Sequence, residues 1–250
     1  MARLFYMIED AAWLTRQGWD TLREAGMCGL ASWIHHLLVG FWRLIRFDGV
    51  YLVHVTTTGD YAAMPPLRAM GELSVHFLDS ERDADRLVEN GFQDVRRVIR
   101  PAARRLRRGA ICVGVFIDRE IAHVEWLALS EEVRRAVFST PCYVDFAGGE
   151  AAWGGAHTVS RYRGKGVFQY GMACALRYCH EHGHRALVGV TAVGNAPSVS
   201  GQTPYAPRVR VRLRHDCRLL RCKWTELSRE SYGDWPAEGS ASAVENECSR

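Results

Sequence analysis

The alternation of apolar and polar residues predicts most of the β-structure of this chain. Short apolar runs bounded by turn-forming residues are typical of β-strands. Asp118 and Arg119 separate two such runs, which predicts a hairpin between them. The predicted strands cover residues 49–60, 73–79, 110–118, 120–129, 149–159, 184–193, 207–214 and 217–227.

Helical periodicity fills the intervals between these strands. Ser80 and Ser130 stand where an N-cap residue accepts a main-chain hydrogen bond. Pro101 is expected to kink the helix that contains it. The predicted helices cover residues 5–26, 28–47, 81–90, 92–109 and 130–138, and a long segment that begins near residue 167.

These elements predict an α+β fold with a mixed, mostly antiparallel sheet flanked by helices. Residues 1–48 form an N-terminal helical extension in this interpretation, and residues 49–227 form the main domain. Residues 228–250 are polar and small, so we expect a disordered tail there. The extension is expected to act as an accessory layer or a dimerisation surface.

Composition excludes several classes of protein. The 250 residues are 48% hydrophobic and 24% charged, which is typical of a soluble globular chain. The net charge of +4 is too small to indicate nucleic-acid binding by itself. The uncharged run 27–42 is shorter than the roughly 20 apolar residues that a membrane-spanning helix needs. Attachment of this run to a membrane surface is the less favoured alternative.

The cysteines and histidines indicate neither a metal site nor export. None of the eight cysteines forms a CxxC pair. Glu9 and Asp10 interrupt the early apolar run, so no signal peptide is expected. Scattered thiols without export favour a reducing cytosol, and the predicted location is therefore cytoplasmic. In the segment "CHEHGH", residues 179–184, Gly183 ends the helix between two histidines, so no metal is expected.

The strongest chemical signal is the segment 157–169, "HTVSRYRGKGVFQ", where a predicted strand meets the long helix. Main-chain amides at a helix N-terminus lack partners and carry a partial positive charge. Gly164 and Gly166 let an anion approach the main chain, and neighbouring cations add to the attraction. The segment lacks the P-loop pattern, because residue 159 is Val, and the Rossmann pattern, because residue 169 is Gln. A phosphate site and an ordinary turn with solvated arginines both remain open from these residues alone.

The pattern Arg161-x-x-Gly164-x-Gly166 resembles the acyl-CoA signature of the GNAT superfamily of N-acyltransferases. The following segment, "ALRYCHEHGHRALVGVTAVGNAPS", resembles that family's next elements, with Asn195 and Ser198 at the matching positions. The resemblance covers roughly residues 72–226. It implies a fold in which the strand ending at Val159 and the strand 185–193 run parallel and splay apart.

The resemblance implies a coenzyme A site between the splayed strands. The acyl-CoA would be a co-substrate, with acetyl-CoA as the default donor and no metal. Backbone groups near Thr158 and Val159 would bind the pantetheine arm, and main-chain amides from Tyr162 to Val167 would bind the pyrophosphate. The implied cofactor-binding residues are His157, Thr158, Val159, Arg161, Tyr162, Arg163, Gly164, Lys165, Gly166, Val167, Asn195 and Ser198.

The implied reaction is attack of a neutral primary amine on the thioester, which needs a base for the amine and an acid for the thiolate. Tyr205 is the candidate acid, although three nearby prolines disfavour a helix between it and Asn195. Glu150 and Glu125 are the candidate bases. Glu150 is alternatively a surface acid. Glu125 lies mid-strand among apolar residues, with His123 on the same face.

The acceptor is not indicated beyond being an amine of a small molecule or a peptide. Seven arginines between residues 96 and 108 are interpreted first as a solvated helix face, and second as a surface for an acidic acceptor. A homodimer is an open expectation, and a nucleic-acid partner is not expected. The alternative function is a non-catalytic module of the same fold that binds CoA or a partner protein. A third is an arginine-rich binding protein in which the glycine turn is incidental.

Overall fold

The computed structural model describes residues 46–59, 71–218 and 221–228, together with four separate helical positions, Met27, Ala31, Ile34 and His35. Apart from these positions, the expected helices 5–26 and 28–47 and the expected tail lie outside the described residues. The chain divides into two compact units, residues 1–48 with 215–224 and residues 49–214 with 225–250. Everything described below as a site lies within the second unit.

The fold is α+β, with a mixed sheet of eight strands. In space the strands follow the order β2-β3-β4-β5-β6-β1-β7-β8. Their bounds are Arg46–Thr57 (β1), Leu73–Leu78 (β2), Ile111–Ile117 (β3), Glu120–Ala128 (β4), Glu150–Thr158 (β5), Ala186–Ala192 (β6), Arg208–Arg218 (β7) and Arg221–Ser228 (β8). Each predicted strand is present, although β1 begins earlier than predicted, so the predicted helix 28–47 ends too late.

Six helices can be described in this part of the chain. Their bounds are Glu81–Glu89 (α1), Val95–Val98 (α2), Ala102–Arg107 (α3), Glu131–Val137 (α4), Val167–Glu181 (α5) and Ala196–Gln202 (α6). Ser80 and Ser130 cap α1 and α4 as predicted. The single kinked helix expected over 92–109 is instead two short helices, since Pro101 lies at the N-cap of α3.

Two parallel strands diverge at the centre of the sheet, as the resemblance implied. β5 and β6 pair only from Glu150–Trp153 against Ala186–Gly189. Beyond Trp153, β5 continues along β4 on its other side, as far as the pair of Thr158 with His123. A bulge with one extra residue in β5 lies there, and Gly155 adopts φ +62° within it. The chain thus opens a gap between β5 and β6.

The N-terminal strand β1 occupies a place that the sequence did not predict. It pairs antiparallel with β6, from Tyr51 with Ala192 to Thr57 with Ala186. A buried contact accompanies this pairing, since His54 Nε2 lies 3.1 Å from Thr191 Oγ1. The far edge of β6 is therefore covered by a strand from the beginning of the chain.

Helices cover both faces of the sheet around the diverging strands. α5 packs on one face, where Leu127, Ala151 and Trp153 belong to its apolar core. α3 and α4 pack on the opposite face, where Arg105 lies over the Trp126 ring. Neighbouring residues such as Trp126 and Leu127 point to opposite faces because strand side chains alternate. The paired part of β5, Glu150–Gly154, is therefore buried, whereas Gly155, Ala156 and His157 beyond it are exposed.

Candidate functional site

The glycine turn places the start of α5 at the end of β5. Ser160–Tyr162 forms one turn of 3-10 helix after the strand. Gly164 and Gly166 then adopt φ +69° and φ +84°, and Gly166 is the N-cap of α5. These left-handed conformations are the physical reason for both glycines, because other residues adopt them at a cost.

The main-chain donors of this turn differ in part from the expected set. The amide of Tyr162 donates to Val159 O at 2.9 Å, and the amide of Arg163 donates to Ser160 O at 3.2 Å. These two amides are therefore used within the turn. Amides of the first helical turn have no partner inside a helix, so the donors that face an anion begin after Arg163 and continue to Gln169.

A cleft of about 510 Å³ lies beside this turn. It is bounded by the end of β5, the glycine turn, the first residues of α5, and α6. Eight of the twelve expected cofactor-binding residues line it: Thr158, Tyr162, Arg163, Gly164, Gly166, Val167, Asn195 and Ser198. Six further lining residues were not predicted: Ala156, Phe168, Gln169, Pro197, Ser200 and Gly201.

The other four expected residues, His157, Val159, Arg161 and Lys165, do not line this cleft. Arg161 forms an ion pair with Glu120 and lies over the Tyr162 ring. Lys165 Nζ lies 5.7 Å from the centre of the same ring. Of the three cations in the motif, Arg163 alone lines the cleft, and its Nε donates to Thr158 O at 3.1 Å.

A short helix, α6, forms the second wall of the cleft, and its presence corrects the expectation drawn from the prolines. Pro197 lies in the first turn of α6, where a missing N–H breaks no helical hydrogen bond. Asn195 caps this helix by accepting from the amide of Ser198 at 3.4 Å. Gln202, at the last turn, is fully buried and donates to Thr191 Oγ1 and to Ser198. The asparagine of the motif therefore holds the wall of the cleft.

A chain of polar side chains leads from the core of the sheet to this cleft. Glu125 and His123 are both 0% exposed, and Glu125 Oε2 lies 3.4 Å from His123 Nε2. On the other side of the ring, His123 Nδ1 lies 2.9 Å from Thr158 Oγ1. The β4–β5 register brings His123 directly opposite Thr158. The sequence predicted that Glu125 and His123 share one face of the strand, but it did not predict the contact between His123 and Thr158.

The side chain of Tyr205 is buried in the apolar core next to α5. It is 5% exposed, and its hydroxyl donates to Gln169 O. Burial, followed by the negative charge of Glu125, raises the pKa of Tyr205 above its usual range. The side chain is not among the residues that line the cleft.

Glu150 is buried at the start of β5, so the alternative prediction of a surface acid is wrong. It is 4% exposed, pairs with Arg210, and accepts from the amide of Asp145 at 2.9 Å. Burial alone would raise its pKa, but the hydrogen bonds from Arg210 and Asp145 outweigh that effect and lower the pKa. Glu150 begins β5 while the cleft lies at the end of that strand.

The thiols near the site are not activated. Burial, followed by the charge of Glu125, raises the pKa of Cys174 to about 11 and the pKa of Cys179 to about 12. Both thiols therefore stay protonated near neutral pH. Cys222 is disulfide-bonded, so the interpretation of the cysteines as scattered thiols does not hold there.

The described residues contain no group of three or more potential metal ligands among His, Cys, Asp and Glu. Within the same part of the chain, no helix has the length and apolar character needed to cross a bilayer.

Comparison with known proteins gives a likeness of fold. No family model matches the sequence, and no curated protein matches it. A Drosophila protein of solved structure has a TM-score of 0.45 and 14% identity, over 80% of this chain and 58% of that one. A protein from Novosphingobium aromaticivorans, provisionally called a GNAT-family acetyltransferase, has a TM-score of 0.43 and 16% identity, over 68% of this chain and 63% of that one. A GNAT-family acetyltransferase from Colwellia psychrerythraea has a TM-score of 0.43 and 9% identity, over 68% of this chain and 56% of that one.

The chain therefore spans less than two thirds of each of these proteins. At such identities and scores the similarity concerns the fold alone and assigns no activity. The solved structures similar to this α+β chain thus include GNAT-family acetyltransferases.

Proposed function

We propose that this chain is an acyl-CoA-dependent N-acyltransferase that transfers an acyl group, acetyl by default, to a primary amine. One observation carries the proposal. The cleft at the end of the diverging strands is lined by the first turn of α5 and by both glycines of the motif. A helix N-terminus can bind a diphosphate when glycines let the diphosphate approach its main-chain amides closely. A gap between parallel strands suits a narrow arm such as pantetheine.

The residues present fit coenzyme A. The pyrophosphate is assigned to the main-chain amides between Gly164 and Gln169, with Arg163 as the charged neighbour. A Cβ on Gly164 would meet nothing within 4 Å, so the space in front of the turn is open. The pantetheine arm is assigned to the wall formed by Ala156 and Thr158 on one side and Asn195 and Ser198 on the other.

The chemistry we propose is direct attack of the neutral amine on the thioester carbon. The amine must lose a proton as the C–N bond forms, and the CoA sulfur leaves as the C–S bond breaks. Glu125 is favoured over Glu150 as the base, because the hydrogen-bond chain from Glu125 through His123 to Thr158 reaches the cleft. Glu150 and Tyr205 are held in bonds within the core.

The arginine-rich segment gives little support for an acidic acceptor. Arg96 pairs with Asp85 and Asp94, Arg107 with Glu81, and Arg108 with Glu132. Arginines that already have acidic partners are weak anchors for a further carboxylate. The acceptor class that we propose is therefore a primary amine without a required negative charge.

A second candidate function is a non-catalytic CoA-binding module. The specific observation in its favour is that two of the three candidate acid–base residues, Glu150 and Tyr205, are used structurally. This candidate predicts CoA binding without release of free thiol in the presence of amines.

The first experiment is calorimetric titration of the wild-type protein and of Gly164→Glu with CoA. A carboxylate at residue 164 should repel the diphosphate and weaken binding by at least about tenfold, which corresponds to about 1.4 kcal/mol. Gly183→Glu is the matched control. Gly183 has φ +79° and an equally open Cβ position, but it lies past the C-terminal end of the same helix. Equal binding by all three proteins would contradict the proposal.

The second experiment measures thiol release from acetyl-CoA with a panel of primary amines. Amine-dependent release by the wild-type protein supports the transferase. Tight CoA binding without release across the panel supports the non-catalytic module.

A further inference from the structure

A buried carboxylate in the middle of β4 is unusual without a cation beside it. Glu125 is 0% exposed, and its Oε1 has no hydrogen-bond partner among the described residues. Burying an ionised carboxylate costs several kcal/mol unless it is paired or hydrogen-bonded. Among the described residues, His123 is the one hydrogen-bond partner of Glu125, through Oε2. An apolar side chain of similar volume would fill this space without that cost, so packing alone does not account for a carboxylate at residue 125.

The imidazole between Glu125 and the cleft is held in one orientation. The Phe168 ring packs against His123 with ring centres 5.7 Å apart and planes at 76°. On the other side, Gly171 leaves just enough room, because a Cβ there would lie 2.7 Å from His123 Cδ2. Both ring nitrogens therefore face fixed partners, Glu125 through Nε2 and Thr158 through Nδ1.

Thr158 is the end of the chain that meets the cleft. Its hydroxyl contacts His123 Nδ1 at 2.9 Å, and Thr158 is one of the residues that line the cleft assigned to the acyl-CoA. Its own carbonyl is occupied by Arg163, which fixes the main chain at this point. The hydroxyl is thus the one polar group of the three-residue chain that a bound substrate can touch.

We propose that Thr158, His123 and Glu125 form a proton relay that serves as the general base for the attacking amine. This inference rests on the proposed function and names the residue at which the base meets the substrate. Glu125 accepts the Nε2 proton of a neutral His123, which leaves Nδ1 free to accept from the Thr158 hydroxyl. A carboxylate behind an imidazole selects the tautomer in this way.

The proton balance is as follows. As the amine nitrogen bonds to the carbonyl carbon, its proton passes to Thr158 Oγ1, and the Thr158 hydroxyl proton passes to His123 Nδ1. The resulting imidazolium is stabilised by the Glu125 carboxylate. The proton returns along the same chain to the departing CoA sulfur, so the enzyme ends in its starting state. Thr158 is a catalytic residue in this scheme, and His123 and Glu125 act through it.

The mutational test uses Thr158→Val, which keeps the shape of the side chain and removes the hydroxyl. Loss of general base catalysis should lower kcat by about 100-fold or more. The Kd for CoA should change by less than about threefold, because valine keeps the shape of threonine and leaves the main-chain groups of this wall of the cleft in place. Glu125→Gln should show the same loss of kcat, and Thr158→Ser should restore most of the activity. Unchanged kcat in Thr158→Val would overturn the relay.

A second measurement does not depend on turnover. In ¹⁵N–¹H correlation spectra of the imidazole groups, the relay requires His123 to carry its proton on Nε2, with a ¹⁵Nδ1 shift that changes in Thr158→Val. A proton on Nδ1 in the wild-type protein would overturn the relay, whatever the acceptor.

Two further outcomes separate this inference from neighbouring ones. Acetylation of Thr158 after incubation with acetyl-CoA alone, detected by intact and peptide mass, would make Thr158 a nucleophile and defeat its role as a base. CoA binding without transfer to any amine would defeat the proposed function, and the imidazole spectra would still decide whether the hydrogen-bond chain exists as described.

Discussion

Arg210 of β7 binds both carboxylate oxygens of Glu150 in β5, with Nη2 at 2.6 Å from Oε1 and Nη1 at 3.1 Å from Oε2. The two strands are not neighbours in the sheet, since β6 and β1 lie between them. The pair is a bidentate contact of the geometrically specific kind that arginine forms with carboxylates. It ties the start of β5 to the later part of the sheet.

Removing one partner of this pair should destabilise the protein strongly. We expect Glu150→Ala and Arg210→Met each to lower the free energy of unfolding by about 3 kcal/mol, because each removes the bidentate ion pair from a mostly buried place. The double variant should lose much less than the sum of the two. Urea denaturation of the four proteins measures this coupling, and strict additivity would contradict it.

The same pair sets an acid limit. The pKa of Glu150 in the folded protein is below the 4.5 of the unfolded chain. The stabilisation is therefore complete above pH 4.5 and is lost as the pH falls through the folded pKa. Acid unfolding of Glu150→Gln should accordingly show a weaker pH dependence below 4.5 than acid unfolding of the wild-type protein.

Tyr205→Phe should affect stability more than catalysis. The hydroxyl is used in a hydrogen bond to Gln169 O, whose loss costs about 1 kcal/mol. We expect kcat to fall by less than about threefold, a change in the activation free energy of under about 0.7 kcal/mol. A loss of 100-fold with unchanged thermal stability would restore Tyr205 as the general acid.

Gly171→Ala tests the space that holds His123. Alanine favours a helix by about 1 kcal/mol over glycine. Here, however, the new methyl would lie 2.7 Å from His123 Cδ2 and 3.0 Å from Nε2. We expect the ring to move from Glu125, and kcat to fall by at least about tenfold while CoA binding is kept. Thermal melting and calorimetry on the same samples separate this effect from unfolding. An active, more stable variant would show that the ring position does not matter.

His54 should make stability depend on pH well above the carboxylate range. Burial lowers the pKa of His54 from 6.5 to about 3, so the folded protein keeps this ring neutral. Between pH 6.5 and about 3 the unfolded chain binds a proton that the folded protein does not. Stability therefore falls with falling pH, by up to about 1.4 kcal/mol per pH unit from this group. His54→Phe should reduce that slope between pH 6 and pH 4 in urea denaturation, whereas an unchanged slope would rule out His54 as its source.

Much of the fold was open to prediction from the sequence because its signals are local. Apolar alternation gave the strands, and Ser80 and Ser130 gave two helix starts. The glycine turn showed itself because Gly164 and Gly166 need positive φ values, which local sequence encodes. The splayed pair followed from the resemblance and not from the pattern.

The features that were missed depend on contacts between distant residues. The place of β1 beside β6 is a pairing that no local pattern specifies. Thr158 reaches His123 only because a bulge at Gly155 shifts the register of β5 against β4. Pro197 was interpreted as a helix breaker because the position of the first turn of α6 was not known. For β1 and Thr158, tertiary pairing decided what local preference left undecided.

The placement of β1 also bears on how the chain reaches its native state. Its partner β6 is synthesised much later, and the contact of His54 with Thr191 joins residues 137 positions apart. Such high contact order slows folding. During synthesis, β1 leaves the ribosome well before β6 is available to pair with it. Nascent chains that stop before residue 186 would therefore expose unpaired main-chain groups along β1.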